Sequence, residues 1–179
     1  MTPHFQITTT RLTLKLIPIQ HASLLYQCVQ ESPSLQVWMD WCCDDFALGD
    51  AEDFIMMTRL NWTQSKAFGF GVFLNGSNTL LGMVSVNELY HTFNMASVGY
   101  WIGDQYQRQG FGKEALQALV DFCFNNLSVT RLEIVCDPDN VASQQLACAC
   151  NAKFEVLAEN RYVHQGTPKA GMVFSILPA

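Results

Sequence analysis

The chain has 179 residues, 49% of them apolar and 15% charged, where an ordinary soluble protein carries about 25% charged residues. That length suits one domain, residues 1–179, with its own core, and the apolar content excludes a disordered chain. Ten Lys and Arg against sixteen Asp and Glu leave a formal charge of −6, which disfavours nucleic acid and leaves basic peptides, amines or neutral small molecules as partners.

Seven cysteines, at 28, 42, 43, 123, 136, 148 and 150, are an odd number, which speaks for reduced thiols rather than a disulfide framework. Met1 to Arg11 is polar and lacks the apolar run of about 7–15 residues found in a signal peptide. No stretch approaches the ~18 apolar residues of a membrane span. A soluble, cytoplasmic protein is expected, with no membrane partner.

In chain order, Arg11–Ile17 alternates with Leu12, Leu14 and Leu16 on one face, a half-buried strand that Pro18 ends. Ile19–Glu31 spaces Ala22, Leu25, Tyr26 and Val29 as a helix, stopped by Ser32-Pro33. A loop follows, anchored by Trp38, Trp41, Cys42 and Cys43. From Asp50 to about Ser65 a second helix is predicted, with Phe54, Met57 and Leu60 on its apolar face. Phe68–Leu74 and Leu80–Leu89 flank Asn75-Gly76-Ser77-Asn78 and predict a hairpin; the glycines of Phe68-Gly-Phe-Gly71 permit close packing. Met95–Ile102 adds a third run. A helix runs from Gly110 to about Asn126 through Leu116, Leu119, Val120 and Cys123. Leu132–Cys136 is a buried strand ended by Asp137-Pro138, and a capped helix covers about Asn140–Cys150. Phe154–Leu157 and Met172–Ile176 are the last strands. The order β-α-α-β-β-β-α-β-α-β-β describes one α/β domain with a mixed sheet.

Val98-Gly-Tyr-Trp-Ile-Gly-Asp-Gln-Tyr-Gln-Arg-Gln-Gly-Phe-Gly-Lys-Glu-Ala115 is a strand, a polar loop with glycines, and a helix start. A helix start leaves about four N–H groups unpaired beside a partial positive charge, and Gly110 and Gly112 let a ligand approach the main chain, so the loop suits a phosphate. Glu114 after Lys113 breaks the Walker pattern, and the mid-chain position after three meandering strands breaks the dinucleotide fingerprint. A different nucleotide-bearing cofactor is indicated.

Thr10-Arg-Leu-Thr-Leu, Leu81-Gly-Met-Val-Ser-Val, Gly99-Tyr-Trp-Ile, Gln107-Arg-Gln-Gly-Phe-Gly-Lys-Glu-Ala-Leu and Asn140-Val-Ala-Ser143, in this order and spacing, resemble the GNAT superfamily of N-acetyltransferases, and within it the branch that acetylates the N-termini of ribosomal proteins. The resemblance covers nearly the whole chain. It implies a mixed, mostly antiparallel sheet with a splayed parallel strand pair and flanking helices. It also implies acetyl-coenzyme A as cofactor, in a V-shaped gap between Ser97–Ile102 and Leu132–Cys136. By the same resemblance Tyr100, Trp101 and Ile102 bond the pantetheine arm through their backbone. Gln107, Arg108, Gln109, Gly110, Phe111 and Gly112, with Lys113 beside them, hold the pyrophosphate, and Asn140 and Ser143 lie by the thiol.

Amide formation needs a neutral amine, a donor for the oxyanion and a proton for the thiolate. The Ile102 N–H is the expected oxyanion donor, and Ser143 the general acid, although a Ser three residues after Asn140 also suits a helix cap. Ser97 stands where relatives of this branch often have Glu, so Glu88 and then His91 are the candidate bases, with ordered water as the third possibility. Trp38, Asp40 and Trp41 are the candidate acceptor-site residues, two aromatic walls and one acid for a cationic amine, though aromatics also close cores. Cys148-x-Cys150 has the wrong spacing for zinc, and no metal is expected. The function so read is acetyl transfer to a peptide or protein N-terminal amine. The alternatives are a small-molecule amine acetyltransferase and, from another class, a non-catalytic acyl-coenzyme A sensor. A monomer and a homodimer fit the composition equally.

Overall fold

The computed structural model describes residues 2–43 and 45–178. Its strands are β1 (Gln6–Thr8), β2 (Leu12–Lys15), β3 (Phe68–Leu74), β4 (Leu80–Tyr90), β5 (Met95–Ile102), β6 (Arg131–Cys136), β7 (Lys153–His164) and β8 (Thr167–Ile176). The helices are α1 (Ala22–Gln30), α2 (Pro33–Trp38), α3 (Leu48–Thr63), α4 (Phe111–Asn126) and α5 (Val141–Ala149). All eight strands form one sheet in the order β1-β2-β3-β4-β5-β6-β8-β7. Each neighbouring pair is antiparallel except β5 and β6, which are parallel. This is the mixed, mostly antiparallel sheet with one parallel pair that the motifs imply.

Two apolar layers cover the sheet. On one face α4 lays Leu116, Leu119, Val120 and Cys123 onto Leu12, Leu14, Val84, Val98 and Leu132. On the other, α1 and α3 bring Leu25, Val29 and Ile55 against Phe73, Met83 and Trp101. Each fully buried leucine contributes about 1.5–3 kcal/mol relative to its exposed state. β3 is buried on both faces, and a Cβ on Gly71 would sit 2.5 Å from the Ile17 side chain, so the glycine admits the segment after β2 onto the sheet.

Four local expectations change. Pro33–Trp38 is a short helix, with Pro33 in its first turn where the missing N–H costs nothing. A short strand, β1, precedes the first predicted one. α3 begins earlier, and the Asp50 carboxylate accepts from the Ala47 N–H at 2.8 Å. Its buried face is Ala51, Ile55 and Trp62, while Met57 and Leu60 are exposed, 55% and 46%. The helix carries apolar residues on more than one side, and Trp62, packed edge-on to Phe68 and Phe70, decides which side turns inward. Finally, the last two strands form one long hairpin through a tight turn at Gln165-Gly166, both at positive φ (48° and 72°).

Candidate active site

β5 and β6 pair over three positions, Met95 with Arg131, Ala96 with Leu132 and Ser97 with Glu133, and then part. Gly103 N–H donates to the Leu81 carbonyl at 2.8 Å, which makes the opposed residues Gly82 and Ile102 a non-hydrogen-bonded pair. The main-chain groups of Ile102, and by alternation those of Tyr100, therefore turn away from β4 into the gap. The Ile102 carbonyl is taken by Gln107 Nε2 at 3.0 Å. The Ile102 N–H and the peptide groups of Tyr100 stay available beside the vacated strand position, which suits an extended, amide-bearing ligand.

At the open end of the gap the chain turns into α4. Arg108 (φ 58°) and Gly110 (φ 81°) both adopt left-handed backbone, and Gly110 is the N-cap. Among the described residues, no protein acceptor takes the N–H groups of residues 108–113. They converge at the positive end of a 16-residue helix, an arrangement that fits a pyrophosphate. Arg11 braces this loop: Nε lies 2.7 Å from Glu114 Oε2, Nη1 donates to the Gln109 carbonyl at 3.1 Å, and the guanidinium covers the Phe111 ring at 4.5 Å.

Deeper in the fork, Ser143 Oγ donates to Tyr100 Oη at 3.0 Å and Tyr100 Oη donates to the Ser143 carbonyl at 2.8 Å. Asn140 Oδ1 caps α5 by accepting from the Ser143 N–H at 3.0 Å. Burial pushes the Tyr100 phenol well above its ordinary range, so it stays protonated, and burial likewise raises the Cys136 thiol. These groups line a cavity of about 270 Å³ together with Asp137, Tyr162 and His164.

Trp38, Met39, Gly99 and Tyr100 also border a second cavity of about 450 Å³ on the α3 side of the sheet. Its walls are Trp41, Phe54 and Trp101 with the neutral polar groups of Thr58, Asn61, Ser85 and Asn87; among the described residues no charged side chain lines it. The Trp41 ring packs tilted against Phe54 and Trp101, with centroids 4.9 and 5.9 Å away. The β7–β8 hairpin tip reaches the segment after α2, where both Asp40 carboxylate oxygens accept from the Gln165 N–H at 3.1 and 3.2 Å.

The structure puts Trp38, Tyr100, Asn140 and Ser143 on one cavity and Trp38, Tyr100, Trp41 and Trp101 on its neighbour, with Ile102 and residues 107–113 following at the end of β5. The expected backbone role of Trp101 changes, because its main chain pairs with Met83 on β4 and only its side chain is a wall. The structure does not bring the two candidate bases to either cavity. His91 lies before β5, at the opposite end of the sheet from the glycine loop, in a separate cavity with Phe5, Phe122 and Val129. Glu88 is exposed opposite Ser97, hydrogen-bonded to the Tyr90 hydroxyl, and lines neither cleft cavity. Asp40 is not a wall of the acceptor cavity either; it holds the hairpin tip. Sequence reasoning missed Asp137, Tyr162 and His164. Tyr162-Val163-His164 before Gly166 carried the β-formers and turn residue of a longer hairpin.

A parted strand pair over an anion-binding helix start, with a hydroxyl in the fork, defines an acyltransferase that works on a nucleotide-borne thioester. The family model described as Acetyltransferase (GNAT) domain matches residues 11–153, and the chain belongs to that family. It is an acetyl-coenzyme A-dependent N-acetyltransferase. A solved structure from Vibrio cholerae assigned as a ribosomal-protein-serine acetyltransferase is 59% identical, with a TM-score of 0.93 over 99% of this chain and 100% of that one. The uncharacterized N-acetyltransferase p20 of Bacillus licheniformis is 26% identical over 94% of both chains. The ribosomal-protein-serine acetyltransferase of Escherichia coli (strain K12) is 27% identical over 76% of this chain and 75% of its own. Among the described residues no helix is long and apolar enough to cross a membrane, and no cluster of side chains could hold a metal ion.

Proposed function

We propose that the chain transfers acetyl directly to the N-terminal amine of a protein, of the ribosomal-protein type. The observation that carries this reading is the acceptor cavity, aromatic and neutral-polar, which shares Trp38, Met39, Gly99 and Tyr100 with the cavity in the fork. A polyamine or aminoglycoside carries several cationic centres that call for carboxylates, and these walls offer none; a peptide end brings a single amine and its own amides. The likeness to the Vibrio cholerae and Escherichia coli proteins supports the same acceptor class.

Bound acetyl-coenzyme A supplies the thioester carbonyl. The Ile102 N–H, aimed into the gap, is positioned to donate to the developing oxyanion. The Ser143 hydroxyl, which donates to Tyr100 Oη here, turns from the phenol to give its proton to the departing sulfur, with Tyr100 protonated beside it. The nearby Cys136 is held as a thiol by burial, which favours direct transfer over an acyl-enzyme. The deciding experiment follows thiol release with a panel of N-terminal peptides, polyamines and aminoglycosides. Turnover is expected with peptides; turnover confined to the small amines would overturn the acceptor assignment.

A further inference from the structure

The cleft has a proton acceptor that neither its family nor its motifs single out. His164 stands near the tip of the β7–β8 hairpin and lines the same cavity as Ser143 and Tyr100. Its Nδ1 lies 2.6 Å from Asp40 Oδ1. That carboxylate cannot swing freely, because both its oxygens also accept from the Gln165 main chain, one residue past His164. Among the described residues Nε2 has no hydrogen-bond partner. The imidazole side chain is 20% exposed, so a proton it takes has a route to water.

We propose that His164 is the general base for the acceptor amine and that Asp40 is its positioning residue, an inference that rests on the transferase reading of the cleft. The Asp40 carboxylate beside Nδ1 favours a neutral ring with its proton on that nitrogen, which leaves the Nε2 lone pair for the substrate. The protonated amine gives one proton to Nε2, and water receives it. As the C–N bond forms and the C–S bond breaks, Nε2 takes the nitrogen's second surplus proton, Ser143 gives its hydroxyl proton to sulfur, and the serine regains a proton from the imidazolium through water, so that one proton in all is released. The charged and titratable neighbours are few. Asp137 at the end of β6 accepts from the Tyr162 hydroxyl and the Asp139 N–H and so is already engaged. Lys169 on β8 acts on Asp137, and α5 presents only Asn140 and Ser143. Glu88 and His91 line neither cleft cavity, which leaves His164, with Nε2 unpartnered among the described residues, as the imidazole on the wall.

The test compares the parent with His164→Gln, His164→Ala and Asp40→Asn, using the peptide turned over fastest. His164→Gln is expected to lose about 100-fold in kcat while keeping the acetyl-coenzyme A melting shift, and imidazole to restore about tenfold to His164→Ala. Asp40→Asn is expected to lower kcat by about tenfold with KM little changed, because the ring loses the contact that positions it. Ring 15N shifts add a readout free of any acceptor: the neutral ring carries its proton on Nδ1 in the parent and loses that preference in Asp40→Asn. Parent-like kcat in His164→Gln, loss without imidazole rescue, or an Nε2-protonated neutral ring overturns the assignment. A parent that turns over no N-terminal peptide instead removes the acceptor reading, and the ring shifts still decide His164.

Discussion

Ser143 and Tyr100 hold each other: the serine hydroxyl donates to the phenol at 3.0 Å and the phenol donates to the serine's own carbonyl at 2.8 Å. The pair ties α5 to β5 across the fork, so the hydroxyl keeps one orientation before any ligand arrives. Ser143→Ala is expected to lower kcat by about 100-fold and leave acetyl-coenzyme A affinity within about twofold, the signature of a proton donor used in the transition state. Tyr100→Phe leaves the serine without its acceptor and should cost less in kcat. Separate measurement of kcat and cofactor Kd checks both; a change in Kd alone removes Ser143 from the acid role.

Gly110 caps α4 at φ 81°. In Gly110→Val a branched side chain must adopt that backbone at about 1–3 kcal/mol, and its Cβ would lie 3.3 Å from Arg11 Nη2. The loop either shifts or fills. The melting shift caused by acetyl-coenzyme A should disappear, with the fold intact by circular dichroism.

Arg11 and Glu114 form a brace outside the gap. Burial raises the Glu114 carboxyl, but hydrogen bonds from Thr9 and Arg11 and the Arg11 charge outweigh it, so the net shift is below the ordinary 4.5. The sign follows directly: a carboxyl depressed in the folded state contributes above its unfolded value and loses that contribution as pH falls through the folded one. Arg11→Ala should weaken cofactor binding about threefold to tenfold near neutrality, with at most ~1 kcal/mol lost from an exposed pair. The difference from the parent should narrow below pH 4.5, which melting curves across pH would show.

Trp62 is fully buried, and its Nε1 has no hydrogen-bond partner. An orphaned buried donor costs about 1–3 kcal/mol, so Trp62→Phe removes a penalty while opening a small void. The two effects nearly cancel: denaturant unfolding should show a change within about 1 kcal/mol, against the ~3–5 of a tryptophan-to-alanine truncation.

The donor side of the cleft was legible because its parts are contiguous. Strand, glycine loop and helix start follow one another from Val98 to Ala115, and main-chain geometry there depends on local residues such as Gly110. The acceptor side is assembled from distant segments: Trp38 and Trp41 after α2, Ser85 and Asn87 on β4, Tyr162 and His164 on β7. No period or spacing links them. Asp40 reads in sequence as an acid between two tryptophans, but its partner Gln165 lies 125 positions along the chain, beyond the reach of pattern. Glu88 and His91 were near the right strands and at the wrong end of them, because a bulge after Val86 and the point at which β5 leaves β6 are tertiary facts. α3 was found but turned, since several of its sides are apolar and only the fit of Trp62 selects one.

The sheet is sewn together at its middle by three residue pairs, Met95–Arg131 to Ser97–Glu133. On one side of that seam sit the glycine loop and the aromatic cavity; on the other, α5 and the hairpin whose tip reaches back to Asp40. Such a joint leaves the hairpin free to lengthen or change its side chains without disturbing the glycine turn, which is built wholly within the other half of the sheet.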